Sequence, residues 1–313
     1  MNEMLPSPDR PLKIGTRGSP LALAQAHETR ERLMAAHRLP DEAFEIVVIT
    51  TTGDRVLDRS LSALGGKGLF TKEIEEGLLS GAIDIAVHSS KDMPVLQPGG
   101  LAFDCFLPRE DPRDAFVSDR VEGIGALPEG AVVGTSSLRR KAQLLHRRPD
   151  LKVVEFRGNV QTRLRKLGEG VAEATFLAMA GLKRLGAASV PARPIAPDQM
   201  LPAVAQGVIG IERRQADEAV AALLQPLHDL PTAACVLAER AFLEALDGSC
   251  QTPIAALAEL DGDRLRLRGE ILRPDGSEAL ADDRSCDAAD GPGLGRSMAE
   301  ELLARAGPGF LPR

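Results

Sequence analysis

KIGTRGSPLALAQ, residues 13–25, runs from an apolar strand through a short polar turn into a helix. Leu12 to Thr16 reads as the strand, and Arg17, Gly18, Ser19 and Pro20 make the turn. Ser19 is a good N-cap and Pro20 a good first helical residue for the Ala/Leu-rich stretch that runs towards His37. Free N–H groups at such a helix start, with an arginine beside them, form a ready anion site. The same grammar returns in AVVGTSSLRRKAQ, residues 131–143: a strand, Gly-Thr, a serine at a helix start, and arginines nearby. Two such units point to two similarly built α/β domains.

Working outward, FEIVVIT (44–50) predicts a second strand, apolar enough to be buried on both faces. In residues 53–70, Gly65, Gly66 and Gly68 surround Lys67 and make a flexible segment suited to a lid. Periodicity does not separate that reading from a plain surface loop. A helix with Phe70, Ile74 and Leu78 on one face follows, and Gly81 is placed to end it. Next comes AVHSSKDMP (86–94), where the strand from Ile83 to Val87 meets Ser89, Ser90, Lys91, Asp92 and Pro94. Parallel α/β sheets present their chemistry at this carboxyl end. A carboxylate beside an ammonium on such a turn suits acid–base work; an Asp and a Ser satisfying turn backbone is the competing reading.

CFLPREDPR (105–113) marks a linker. Past the second Gly-Thr unit, strand KVVEF (152–156) leads to Arg157, Gly158 and Asn159, the last a cap for a helix carrying Arg163. Strand TFLAM (175–179) leads to Lys183 and Arg184. Arg17, Arg139, Arg140, Arg157, Arg163 and Arg184 thus all follow strands, at or just inside helix starts. Guanidinium forks there suit carboxylates or phosphates. With no G-x-x-x-x-G-K-[ST] and no G-x-G-x-x-G, a polycarboxylate is favoured over a nucleotide. PDQMLPAVAQGVIGI (197–211) returns to strand character and leads back to the first domain. From about residue 230 a small α+β unit begins: a helix capped by Thr232 and stopped at Asp247-Gly248, a loop holding Cys250, a hairpin about Asp261-Gly262, and a last helix over 296–306. A cysteine flanked by Gly, Ser, Gln and Thr at a helix end is a candidate for covalent chemistry.

At 313 residues the chain suggests two or three domains. A formal net charge of −7 argues against a nucleic-acid binder, and no apolar run approaches the roughly 18 residues of a membrane span. Cys105, Cys235, Cys250 and Cys286 form no C-x-x-C pair, so neither a metal site nor a disulfide framework is expected. With no secretory signal visible, the cytoplasm is the expected compartment.

The segments GTRGSPLALAQ, GGKGLF, AVHSSKDMP, EDPRDAFVS, GTSSLRR, RRPDL, RGNVQTRL, AGLKRLG, PAVAQG and the Cys250 loop, in this order from about residue 12 to 306, resemble the porphobilinogen deaminase (hydroxymethylbilane synthase) family. The resemblance implies an α/β fold of two domains like type II periplasmic binding proteins, joined by a double crossover, plus a small C-terminal α+β domain. It places domain 1 at 10–107 with 202–228, domain 2 at 108–201 and domain 3 at 229–313. It implies a monomer that condenses four porphobilinogen molecules on a dipyrromethane primer held by thioether to Cys250. By position, Asp92 would be catalytic, while Arg17, Ser19, Ser89, Lys91, Ser137, Arg139, Arg140, Arg157, Arg163, Arg184, Lys67 and Gln206 would hold cofactor or substrate. The chemistry agrees, since each pyrrole unit brings two carboxylates and loss of ammonia leaves a cation that an aspartate can stabilise. Ser249 stands where the family usually has a second glycine before the cysteine. The competing reading is an anion-binding module or regulator effector domain on the same scaffold, which calls for neither Asp92 nor Cys250.

Overall fold

The structure, a computed structural model, describes residues 5–55, 71–248 and 252–311. The glycine-rich segment with Lys67 and Phe70, and the residues Ser249 and Cys250, lie outside the described residues. In the first part of the chain come β1 (Leu12–Thr16), α1 (Pro20–His37), β2 (Phe44–Val48), α2 (Thr52–Arg55), α3 (Lys72–Leu79), β3 (Ile85–Ser89) and β4 (Leu101–Phe106). The middle holds β5 (Asp114–Val117), β6 (Val132–Gly134), α4 (Leu138–Arg147), β7 (Lys152–Val154), α5 (Val160–Gly168), β8 (Ala174–Ala178), α6 (Met179–Arg184) and β9 (Ala192–Pro194). The chain returns through β10 (Ile209–Arg214), α7 (Glu218–Leu224) and α8 (Leu230–Ala245), and ends in β11 (Ile254–Asp261), β12 (Arg264–Leu272), β13 (Ala279–Asp287) and α9 (Gly291–Ala306).

Two five-stranded sheets share one plan. The first has the order β2-β1-β3-β10-β4 and the second β7-β6-β8-β5-β9. In each, three parallel strands in the sequence order two-one-three are followed by one antiparallel strand. That antiparallel strand is a crossover product in both cases: β5 opens the second sheet as the chain leaves the first, and β10 enters the first sheet as the chain comes back. This is the double crossover of two type II periplasmic-binding-protein-like α/β domains. By contacts, the chain forms two compact units, one running up to Arg109 and including Val208–Ala233, the other Glu110–Gly207 with Ala234 onwards.

Strand β3 shows why these apolar runs are continuous. Ile85 and Val87 face one side and pack with Ile14, Leu33, Ile209 and Ile211, while Ala86 faces the other with Ile74, Leu78, Ile83 and Leu101. Side chains alternate along a strand, so a sheet covered on both faces needs apolar residues at every position. Each fully buried Leu or Ile contributes about 1.5–3 kcal/mol. The expectation that FEIVVIT is buried on both faces fails for a topological reason: β2 sits at the sheet edge, and Val48 is 54% exposed.

The C-terminal part is a three-stranded antiparallel meander, β11-β12-β13, with α8 and α9. The first hairpin turns at Gly262, whose φ of 59° suits a glycine. Helices α8 and α9 approach closely because position 295 is glycine: a Cβ there would stand 2.4 Å from the Ala238 carbonyl oxygen. Two local expectations change. Asp229, not Thr232, caps α8, its Oδ1 accepting from Thr232 N–H at 2.9 Å, while Thr232 Oγ1 accepts from Arg109 N–H at 3.0 Å. Of residues 197–211, only the last three belong to a strand; before them the chain is irregular, and Ala205 has φ 56°.

Candidate functional site

In the first unit, β3 ends in one turn of 3-10 helix, Ser90–Asp92, which Met93 N–H closes onto the Ser90 carbonyl at 3.2 Å. The turn leaves Asp92 exposed and Lys91 half-buried beside it. Ser89 is held from α1, where buried Gln25 donates from Nε2 to Ser89 Oγ at 2.8 Å. Ser90 N–H donates to the Val208 carbonyl at 3.0 Å, tying the turn to the returning chain. Across from it, Ser19 caps α1 as expected, accepting from Ala22 N–H at 3.3 Å, with Pro20 in the first turn. Arg17, Ser19, Gln25, Ser89 and Asp92 line a cavity of about 90 Å³. Two cationic side chains near one exposed carboxylate can hold a carboxylated ligand while leaving one acid–base group at its edge.

The second unit uses the same parts differently. Ser137 caps α4, accepting from Arg140 N–H at 3.4 Å. Arg139 and Arg140, each 5% exposed, turn inward to fully buried Asp114 at the start of β5. Arg139 Nη1 donates to Asp114 Oδ2 and to the Leu201 carbonyl, both at 2.7 Å. Arg140 Nη2 donates to Asp114 Oδ1 at 2.7 Å and its Nη1 to the Phe176 carbonyl at 2.9 Å. Gln206 Nε2 joins them, 3.0 Å from Asp114 Oδ1 and 2.8 Å from the Pro112 carbonyl. Burial would raise the Asp114 carboxyl, but the two guanidinium charges overcome it and hold the group well below the usual carboxylate range. Sequence reading missed Asp114. Its signal was a lone carboxylate opening the otherwise apolar strand DAFV.

Arg157 and Arg163 stand about the start of α5, which Asn159 caps through Thr162 N–H at 2.9 Å. Arg163 Nε donates to the Gly158 carbonyl at 2.9 Å, and Arg157 Nε lies 3.6 Å from Glu155 Oε1. Gly158 has φ 118°, and a Cβ there would meet Thr162 at 2.5 Å, so the turn requires glycine. Arg184 departs from the expected pattern: it is the last residue of α6, not near its start. A cation is favoured there by the helix dipole. Among the described residues no group of His, Cys, Asp and Glu is arranged to hold a metal ion.

Residues 12–222 match the model of the porphobilinogen deaminase dipyrromethane cofactor-binding domain, and residues 233–304 match that of the porphobilinogen deaminase C-terminal domain. The chain belongs to the porphobilinogen deaminase family. A porphobilinogen deaminase of Paracoccus denitrificans (strain Pd 1222) is 67% identical over 306 residues, covering 98% of each chain. Among solved structures, the Bordetella pertussis BvgS periplasmic VFT2 domain is 17% identical at TM-score 0.40, covering 69% of this chain and 86% of that one. A putative sulfonate-binding protein, SsuA, of Methylobacillus flagellatus KT is 14% identical at TM-score 0.38, covering 75% and 68%. The family's cofactor is a dipyrromethane, and the residues lining the cavity suit such a group: Arg17 can offer a cation to its carboxylates and Ser19 a hydroxyl.

Proposed function

We propose that this transferase is a hydroxymethylbilane synthase, joining four porphobilinogen molecules head to tail with release of four ammonia and, after hydrolysis, of a linear tetrapyrrole. The observation that carries the reading is the exposed carboxylate of Asp92 at the carboxyl end of β3, beside Lys91 and at the edge of the cavity lined by Arg17 and Ser19. Asp92 donates the proton that leaves with ammonia, and its carboxylate then faces the delocalised cation left on the substrate. Arg17, Lys91, Ser19 and Ser89 hold acetate and propionate groups in the first unit. In the second unit Ser137, Arg157, Arg163 and Arg184 serve the same ligand class, Arg139 and Arg140 act through the donors that Asp114 leaves them, and Gln206 acts through its carbonyl oxygen. Lys67 covers the growing chain from the glycine-rich segment. The bound dipyrromethane supplies the free pyrrole carbon at which chain growth begins.

Cys250 carries the primer. Supporting this, Cys105 and Cys235 are buried, and burial first, then the Asp104 charge, pushes the Cys105 thiol up to about 12. A thiol so placed gives almost no thiolate near neutrality. Half-buried Cys286 is also raised, by burial and by Asp290. The three domains take the boundaries 10–107 with 202–228, 108–201 and 229–313, consistent with one sheet in each. The enzyme works as a cytoplasmic monomer without nucleic-acid or membrane partners, in keeping with its net charge of −7 and with the absence, among the described residues, of any single helix long and apolar enough to cross a bilayer.

Intact mass tests this reading. Protein purified from cells is expected to be heavier than its sequence by one dipyrromethane, and Cys250→Ala to return to the sequence mass with nearly all activity lost. A Cys250→Ala protein that kept the added mass would refute the assignment of the tether.

A further inference from the structure

The turn that carries Asp92 is gripped from both faces of its sheet. On the α1 face, Gln25 holds Ser89. On the α3 face, the preceding residue, His88, meets Glu212 of the neighbouring antiparallel strand β10, with Nε2 3.3 Å from Oε2. The register places Gly210 opposite His88 and Glu212 opposite Ala86, so the two side chains are diagonal neighbours on one face, within reach of each other. Their side chains are 6% and 0% exposed. Gly210 makes the arrangement possible: a Cβ there would stand 2.1 Å from the Phe103 ring and 2.7 Å from Ser90 Oγ. Phe103 packs edge-on against the imidazole, 6.3 Å between centroids. Among the described residues, His88 Nε2, both carboxylate oxygens of Glu212 and Ser90 Oγ make no well-aligned hydrogen bond.

A buried pair of this kind is a poor device for stability. Desolvating both groups costs about as much as their attraction returns, and well-packed apolar residues of similar volume often hold a fold as well or better. The surroundings add to the cost. Glu75 of α3 faces the same pair; burial first, and the Glu212 charge as well, raise its carboxyl, while His88 and Thr71 act to lower it. Around Ala86 this face is built from Ile74, Leu78, Ile83 and Leu101, with Arg214 beyond them donating to the Leu78 and Ile83 carbonyls. The polar pair sits only at the end of the strand, one turn from Asp92.

We infer that His88 and Glu212 are positioning residues, a buried polar contact that fixes the Ser90–Asp92 turn so that the Asp92 carboxylate meets the reacting substrate in one orientation. The inference rests on the reading of Asp92 given above. A displacement on the order of 1 Å at a catalytic group costs about 100-fold in rate, so a clamp four residues upstream, at the wall of the same cavity, acts chiefly on turnover.

The test compares Glu212→Gln with the double variant His88→Leu/Glu212→Leu, measuring kcat, KM for porphobilinogen, thermal midpoint and bound-primer mass. Both variants are expected to lose at least tenfold in kcat, with KM within twofold of the parent and the primer still attached. The double variant is expected to match or exceed the parent in thermal midpoint. A merely structural pair would restore kcat in the double variant along with stability, and that result overturns the inference. So does a Glu212→Gln kcat within twofold of the parent, or failure of both variants to fold. A parent protein that does not consume porphobilinogen would instead refute the proposed function.

Discussion

The turn at residues 15–20 and the turn at residues 134–140 share a strand, a buried threonine and a serine that caps the next helix, yet their arginines meet different surroundings. In both, the glycine before the threonine leaves room for a neighbour: a Cβ at Gly15 would stand 2.3 Å from Ile83, and one at Gly134 2.4 Å from Phe156. Thr16 and Thr135 are both buried, and Ser19 and Ser137 both cap. Arg17, before its cap, lines the cavity beside Asp92. Arg139 and Arg140, after theirs, point inward to Asp114. An arginine two residues before an N-cap lies outside the helix and faces the sheet's carboxyl end. One in the first helical turn is carried over the sheet, where a buried carboxylate can claim it.

Removing Asp114 should break this contrast with the largest effect. Asp114→Ala leaves two buried guanidinium groups without their anion, and loss of one partner of a buried pair costs about 3–5 kcal/mol, read as a fall in the urea midpoint. The pH dependence follows from the depressed carboxyl. Its contribution is fully present above the ordinary aspartate value of 3.8 and is lost only as pH falls below that value. The stability gap between parent and Asp114→Ala should therefore be constant from neutral to mildly acidic pH and shrink only below it.

Arg17→Leu should do the opposite, with a smaller effect. On the proposed reading it removes a charge-assisted contact to a ligand carboxylate, about 1.5–3 kcal/mol, and is expected to weaken primer retention or raise KM while lowering the urea midpoint far less than Asp114→Ala does. A midpoint falling as far as that of Asp114→Ala would mean that Arg17 is also an internal brace.

The same contrast marks how much was legible beforehand. Ser19-Pro20, Gly81 and Asp261-Gly262 announce helix starts, a helix end and a hairpin through local chemistry, and each lies where the sequence places it. Arg139 and Arg140 are different: their partner lies 25 and 26 positions away on β5, a strand whose place in the sheet only topology decides. The exposure of Val48 at an edge was hidden for the same reason, whereas the cap at Asp229 and the place of Arg184 at the end of α6 turn on helix boundaries that the local sequence left open. The pair of His88 and Glu212, far apart in sequence, carried no local mark at all.

The central claim is that the carboxylate of Asp92 performs the chemistry, and paired substitutions separate its charge from its placement. Asp92→Asn removes both the proton-transfer group and the negative charge, so turnover should fall by about 10²–10³-fold or more. Asp92→Glu keeps the charge but moves it by one methylene, and should be slow yet active. Single-turnover and steady-state rates for the two proteins, each checked for bound primer by mass, should rank parent above Glu and Glu above Asn. An Asn variant that turns over as fast as the Glu variant would contradict the account and leave Asp92 a turn residue.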